Sequence, residues 1–149
     1  MTMYSVTLKR LAAYAAGILI SGAIWTSAAN ASVSVRIDVS AQTMTVDVDG
    51  DHYATWRVST ARSGYYTPRG NFKPYVLKKM HYSRKYDNSP MPHSIFFRGG
   101  YAIHATNYVK SLGRPASHGC IRLAPKNAAV LYQLVKQYGM KSTKITITN

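Results

Sequence analysis

Cysteine occurs once in the 149 residues, at Cys120, inside the run Ser117-His118-Gly119-Cys120-Ile121-Arg122-Leu123. A thiol set among His, Gly and Arg has the ingredients of a nucleophile. Gly119 lets the backbone turn with positive φ or approach a substrate closely. Backbone N–H groups freed at such a turn can hold a developing oxyanion. Arg122 and a nearby imidazole would stabilise a thiolate and lower the thiol pKa. A cysteine nucleophile also needs a base within hydrogen-bond reach. His118 lies two residues away in sequence, and His104 closes the apolar run Tyr101-Ala102-Ile103-His104. The ordinary alternative is an inert buried cysteine.

The rest of the composition narrows the chemistry. There is no Glu; the acids are Asp38, Asp47, Asp49, Asp51 and Asp87. Chemistry that needs a Glu is excluded, and a cluster of acidic metal ligands is not expected. A single Cys excludes an intramolecular disulfide framework and a two-cysteine zinc site. His52, His81 and His93 have no partners at metal-ligand spacing and read as solvated residues. No metal and no organic cofactor is expected. Nineteen Lys and Arg against five acids give a net charge of +14, while 46% of the residues are hydrophobic. The chain is therefore a basic globular protein, not a disordered basic tail, and its charge suits an acidic partner.

The N-terminus reads as an address. Lys9 and Arg10 precede the apolar run Leu11 to Trp25, and Ala29-Asn30-Ala31 supplies small residues in a cleavage-site pattern. These are the three parts of a secretory signal peptide, assigned to residues 1–31. The run is short for a membrane span of about 20 residues, so no span is expected in the mature chain. An exported chain meets an oxidising compartment, where a lone cysteine points to a working thiol or an intermolecular bridge.

Residues 32–149 must then position the Cys-His constellation as one domain. Val33, Val35, Ile37 and Val39 alternate with polar residues, as do Met44, Val46 and Val48, and Asp49-Gly50 is a hairpin turn signal. Tyr53 to Ser59 supplies a return strand. Ser94 to Phe97 and Tyr101 to His104 flank Arg98-Gly99-Gly100 as a second hairpin, and Lys144 to Thr148 closes the chain as a strand. Pro125 starts and Gly139 stops a helix over 125–138, whose stripe of Ala128, Val130, Leu131, Leu134, Val135 and Tyr138 must face a core. Two stretches read as long loops, Thr60 to Pro74 and Lys78 to His93. The second carries a cluster of cations that is ordinarily a solvated face, and its interleaved aromatics also suit a lid. The fold class is mainly β, with one packed helix.

His104, followed by Ser117-His118-Gly119-Cys120 and Arg122, resembles the active-site signature of the L,D-transpeptidases, bacterial cell-wall enzymes with a cysteine nucleophile. Val58-Ser59-Thr60 with Thr67-Pro68-Arg69-Gly70-Asn71-Phe72 resembles the family's TPxGxF element, and Ile37 to Gly50 its opening hairpin. The resemblance runs from about Val33 to Asn149. One departure is Ala105, where the family usually has Gly after the upstream His. The resemblance implies a β-sandwich of mixed sheets with one helix near residues 125–138. It makes Cys120 the nucleophile and His104 the base. Ser117 would orient the imidazole through its carbonyl, His118 and Gly119 would shape an oxyanion site, and Arg122 would hold the loop or bind a substrate carboxylate.

The implied activity is acyl transfer on peptidoglycan stem tetrapeptides in the periplasm or cell envelope. A neighbouring stem or an envelope protein would be the acceptor, with water, and hence carboxypeptidase activity, as the alternative. The rival from another class is a basic secreted wall- or nucleic-acid-binding module without catalysis. The signal peptide and the assembled Cys-His motif argue against it, so no nucleic-acid partner is expected.

Overall fold

The structure is a computed structural model that describes residues 31–149. The expected signal peptide falls almost wholly on residues 1–30, outside the described residues. Strands β1 (Val33–Asp38) and β2 (Thr43–Val48) pair antiparallel, and β2 pairs with β3 (Asp51–Arg57). The alternation seen in the sequence is the burial pattern: Val33, Val35, Ile37, Met44 and Val46 are buried. Asp49 and Gly50 both take positive φ (54° and 90°), as a tight hairpin turn demands. The last strand, β9 (Thr143–Thr148), lies parallel to β1 and buries Ile145 and Ile147. With β4 (Gly70–Phe72) on its other side, the first sheet has the order β3-β2-β1-β9-β4.

The second sheet has the order β5-β6-β7-β8, from β5 (Val76–Ser83), β6 (Ser89–Arg98), β7 (Tyr101–Ala105) and β8 (Ile121–Leu123). Here the expectation of a long loop over Lys78 to His93 is corrected. Most of that stretch is an antiparallel hairpin of β5 and β6, tipped by a short turn of 3-10 helix at Arg84–Tyr86. β5 buries none of its residues fully. With both faces largely wet, it has no apolar alternation to betray it, and pairing with β6 holds it in place. The other expected loop, Thr60 to Pro74, contains the three-residue strand β4 near its end.

Helix α1 (Pro125–Tyr138) begins at its proline and ends at Gly139, whose N–H reaches the Val135 carbonyl at 2.9 Å. Its Ala128, Leu131 and Val135 are buried in one core with the inner faces of β1, β2 and β9 and with Ile95, Ile103, Ile121 and Leu123 of the second sheet. The expected helical stripe is thus core packing. A smaller apolar cluster of Met91, Phe96 and Ala102 lies apart from this core, with Cys120 and Val76 packed against it.

β7 and β8 run parallel, so residues 106–120 must cross over to join them. That crossover packs on the stretch after β3. Gly113 N–H donates to the Val58 carbonyl (2.8 Å), Ala116 and Ser117 N–H to the Thr60 carbonyl (both 2.9 Å), and Arg62 N–H to the Ser117 carbonyl (3.0 Å). Ser59 and Arg122 exchange backbone bonds at 3.1 and 2.9 Å. The buried Gln42 amide in turn accepts the Thr60 N–H at 2.9 Å, tying this layer to the β1–β2 turn.

Candidate active site

The β7–β8 register pairs Ile103 with Ile121 and His104 with Arg122. Side chains alternate along a strand, so Ile103, Ala105, Ile121 and Leu123 enter the main core. Ala102, His104, Cys120 and Arg122 fall on the opposite face. That face is the floor of a cleft of about 890 Å³, lined by Cys120, His104, Arg122 and His118 and walled by the β5–β6 hairpin. The thiol and imidazole, 16 positions apart in sequence, are diagonal neighbours here.

His104 is buried, and its Nδ1 lies 2.7 Å from the Ala105 carbonyl. A carbonyl only accepts, so Nδ1 carries the proton and Nε2 keeps a free lone pair. The group fixing the ring is therefore Ala105, not Ser117, whose carbonyl is occupied by Arg62 N–H. Burial, against the favourable Ala105 contact and with Arg122 nearby, holds the imidazole pKa down at about 4.

Cys120 departs from expectation in the same direction. Burial of the sulfur among protein atoms pushes the thiol pKa up, outweighing the Ala102 N–H and Arg122, which favour thiolate. The resting pair is thus a neutral thiol beside a neutral imidazole, not an ion pair. The Sγ–H points to the Gly100 carbonyl at 3.8 Å rather than to His104.

The loop before Cys120 is held by its own hydroxyl. Ser117 Oγ donates to the Cys120 carbonyl (2.6 Å) and accepts the Gly119 N–H (3.0 Å). Gly119 N–H is therefore committed, and the Cys120 N–H, which donates to no group among the described residues, is the donor left for an oxyanion. Gly119 has φ of 125°, and a Cβ there would meet the Tyr101 ring at 2.6 Å and the Tyr66 carbonyl at 2.7 Å, so only glycine fits. His118 is sandwiched, stacked on Tyr86 of the hairpin tip (centroids 4.3 Å, 14°) and edge-on to Tyr65 (4.6 Å). Arg122 Nη1 donates to the Ala116 carbonyl at 3.3 Å, the loop-holding alternative for that residue.

Two histidines read as solvated are half-buried. His81 lines the cleft edge-on to Phe96 (5.1 Å), and His93 packs on Tyr132 with its Nδ1 buried and unpartnered. Both sit on the β5–β6 hairpin that the sequence did not disclose. The cleft lining is cationic: Lys78, Arg84, Lys85 and Arg122 belong to it, and among the described residues no carboxylate does.

Two measurements check this protonation state. Alkylation of Cys120 by iodoacetamide should keep accelerating above about pH 9, beyond the free-thiol range; a plateau near neutrality would mean a preformed thiolate. The second is stability. The unfolded chain binds a proton at His104 near pH 6.5, whereas the folded chain refuses it until about 4. Protons therefore favour unfolding as pH falls through that window. Between pH 7 and 4.5, urea unfolding of the wild type should lose about 2–3 kcal/mol more than that of His104→Gln. Equal losses would contradict a neutral buried imidazole.

Comparison with known proteins identifies the family. The YkuD family, the L,D-transpeptidase catalytic domain, matches residues 32–147. The chain is similar to the putative L,D-transpeptidase YkuD of Bacillus subtilis (strain 168), 25% identical over 117 residues, covering 76% of this chain and 64% of that protein. Among solved structures it is similar to an L,D-transpeptidase from Mycobacterium smegmatis, with 28% identity and a TM-score of 0.71 over 80% of this chain and 59% of that one. L,D-transpeptidase 3 from Mycobacterium tuberculosis, solved with a faropenem-derived adduct, shares the fold at 19% identity and a TM-score of 0.71, over 80% of this chain and 61% of that one. The chain spans less than two thirds of the length of each of these relatives. With the mainly β fold of two mixed sheets, the family match over nearly all the described residues decides the matter: the chain belongs to the YkuD family of L,D-transpeptidase catalytic domains.

Proposed function

We propose that this chain is an exported L,D-transpeptidase that acts on peptidoglycan stem tetrapeptides through a Cys120 thioester. The observation that carries the reading is the β7–β8 register, which sets Cys120 and His104 together on the floor of one cleft. His104 Nε2 takes the Sγ proton as the sulfur attacks the carbonyl of the third stem residue. The C–N bond to the terminal D-amino acid breaks, and the imidazolium returns the proton to the departing amine. A thioester remains on Cys120. An acceptor amine then attacks it, gives a proton to His104, and expels the sulfur, which recovers that proton. No cofactor enters these steps.

The neutral resting pair suits this sequence. His104 is unprotonated at any pH well above 4, so it is ready as a base. The Cys120 N–H takes up the oxyanion, Ser117 and Gly119 hold its loop, and His118 shapes the rim. The four cations of the cleft favour a stem peptide with free carboxylates. The acceptor is the side-chain amine of a diaminopimelate in a neighbouring stem; an envelope protein's amine would instead tether that protein to the wall. Residues 1–31 are the export signal, which places the domain of residues 32–149 in the periplasm or cell envelope.

Mature protein incubated with purified tetrapeptide muropeptides should yield cross-linked product and free D-amino acid, identified by mass. Cys120→Ala should abolish product, and His104→Gln should lower the rate by at least about 100-fold. Tripeptide without cross-link would identify water as the acceptor. Unchanged muropeptide with folded protein would move the reading to a non-catalytic wall-binding module.

A further inference from the structure

Thr67 belongs to the Thr67-Pro68-Arg69-Gly70 element, far from Cys120 in sequence, yet it is completely buried beneath the Cys120 loop. Its Oγ1 donates to the Gly119 carbonyl at 2.8 Å and accepts the Ala61 N–H at 3.0 Å. The Ala61 bond takes up acceptor capacity of the hydroxyl and so aims its proton at Gly119. We propose that Thr67 is the positioning residue that aims the Cys120 N–H into the oxyanion site, an inference that rests on the acyl-transfer reading above.

Peptide geometry links the two groups. In a trans peptide the C=O of Gly119 and the N–H of Cys120 belong to one plane and point in opposite directions. Gripping the carbonyl from the buried side therefore turns the N–H outward, toward the cleft. Two further polar groups of this turn are held from within: Ser117 Oγ takes the Gly119 N–H and donates to the Cys120 carbonyl. The grip matters because glycine resists peptide rotation least. Gly119 is compulsory for packing against Tyr66 and Tyr101, so the site must accept a loose residue and then pin it from outside. Ser117 holds one side of the turn and Thr67 the other.

A purely structural role and a positioning role differ in which reactions of the same thiol suffer. Acylation by a carbapenem passes through an oxyanion; alkylation by iodoacetamide does not. Thr67→Val should slow carbapenem acylation, followed by intact mass, by about 10- to 100-fold, while iodoacetamide alkylation stays within about threefold of wild type. Thr67→Ser, which keeps the hydroxyl, should restore acylation to within about fivefold of wild type. The proposal is overturned if Thr67→Val acylates at the wild-type rate, if both reactions fall together, or if Thr67→Ser does not rescue. Should Thr67→Val fail to fold, amide hydrogen exchange of the wild type decides: the Cys120 amide should exchange freely while the Gly119 amide is protected. A protected Cys120 amide would overturn the pinning. A wild type that carbapenem leaves unmodified would refute the acyl-transfer reading, while the exchange pattern still settles the orientation of the peptide.

Discussion

Everything in the site hangs on the parallel pairing of β7 with β8. Ile103 opposite Ile121 and His104 opposite Arg122 is one register among several that three- and five-residue strands could adopt. A slip of a single residue would send Ile121 and Leu123 to the cleft and bring Cys120 and Arg122 into the core. Burial of Ile121 and Leu123 in the main core, with no exposed surface, makes that slip costly. The core thereby chooses which side chains face the cleft. The placement of Cys120 beside His104 is a by-product of apolar packing on the other side of the same two strands.

Parallel pairing has a structural price, a long crossover, and the molecule turns that crossover into its working loop. Residues 106–120 would be loose without partners. They are instead laced to Val58, Ser59, Thr60 and Thr67 through backbone and hydroxyl bonds. The Thr67–Gly119 bond is buried, where an unmade partner would cost about 1–3 kcal/mol, and with the others it specifies one loop conformation. The same stretch is anchored to the first sheet through Gln42. A chain of contacts thus runs from the β1–β2 turn, through the loop after β3, to the peptide that carries the Cys120 sulfur. On the open side the hairpin wall touches this loop through the Tyr86–His118 stack.

The sequence disclosed what periodicity and punctuation encode. β1, β2, β9 and α1 alternate or recur cleanly because each buries one face, and Pro125 and Gly139 mark the helix ends. Cys120 and His104 stood out by chemistry and by family resemblance. Four things stayed hidden. β5 carries Lys78, Lys79 and no fully buried residue, so its strand character comes from pairing with β6 and leaves no pattern in its own residues. β8 is three residues long, too short for any period to register. The state of the thiol depended on depth: Arg122 and the imidazoles suggested a thiolate, but desolvation around the sulfur and around His104 outweighs them. Local composition shows which charges are near, and only the fold shows how much water has been removed. Thr67 was visible as part of a resemblance; the bond from its hydroxyl to Gly119 was not.

The central claim is that the β7–β8 register makes Cys120 the atom that carries the acyl group. The direct measurement is acid-quenched intact mass and peptide mapping of wild-type protein mixed with a stem tetrapeptide and no acceptor. The expected result is a tripeptide acyl adduct, lacking the terminal D-amino acid, on the peptide containing Cys120, and its absence in Cys120→Ala. Turnover with no adduct on Cys120, or an adduct that persists in Cys120→Ala, would contradict it.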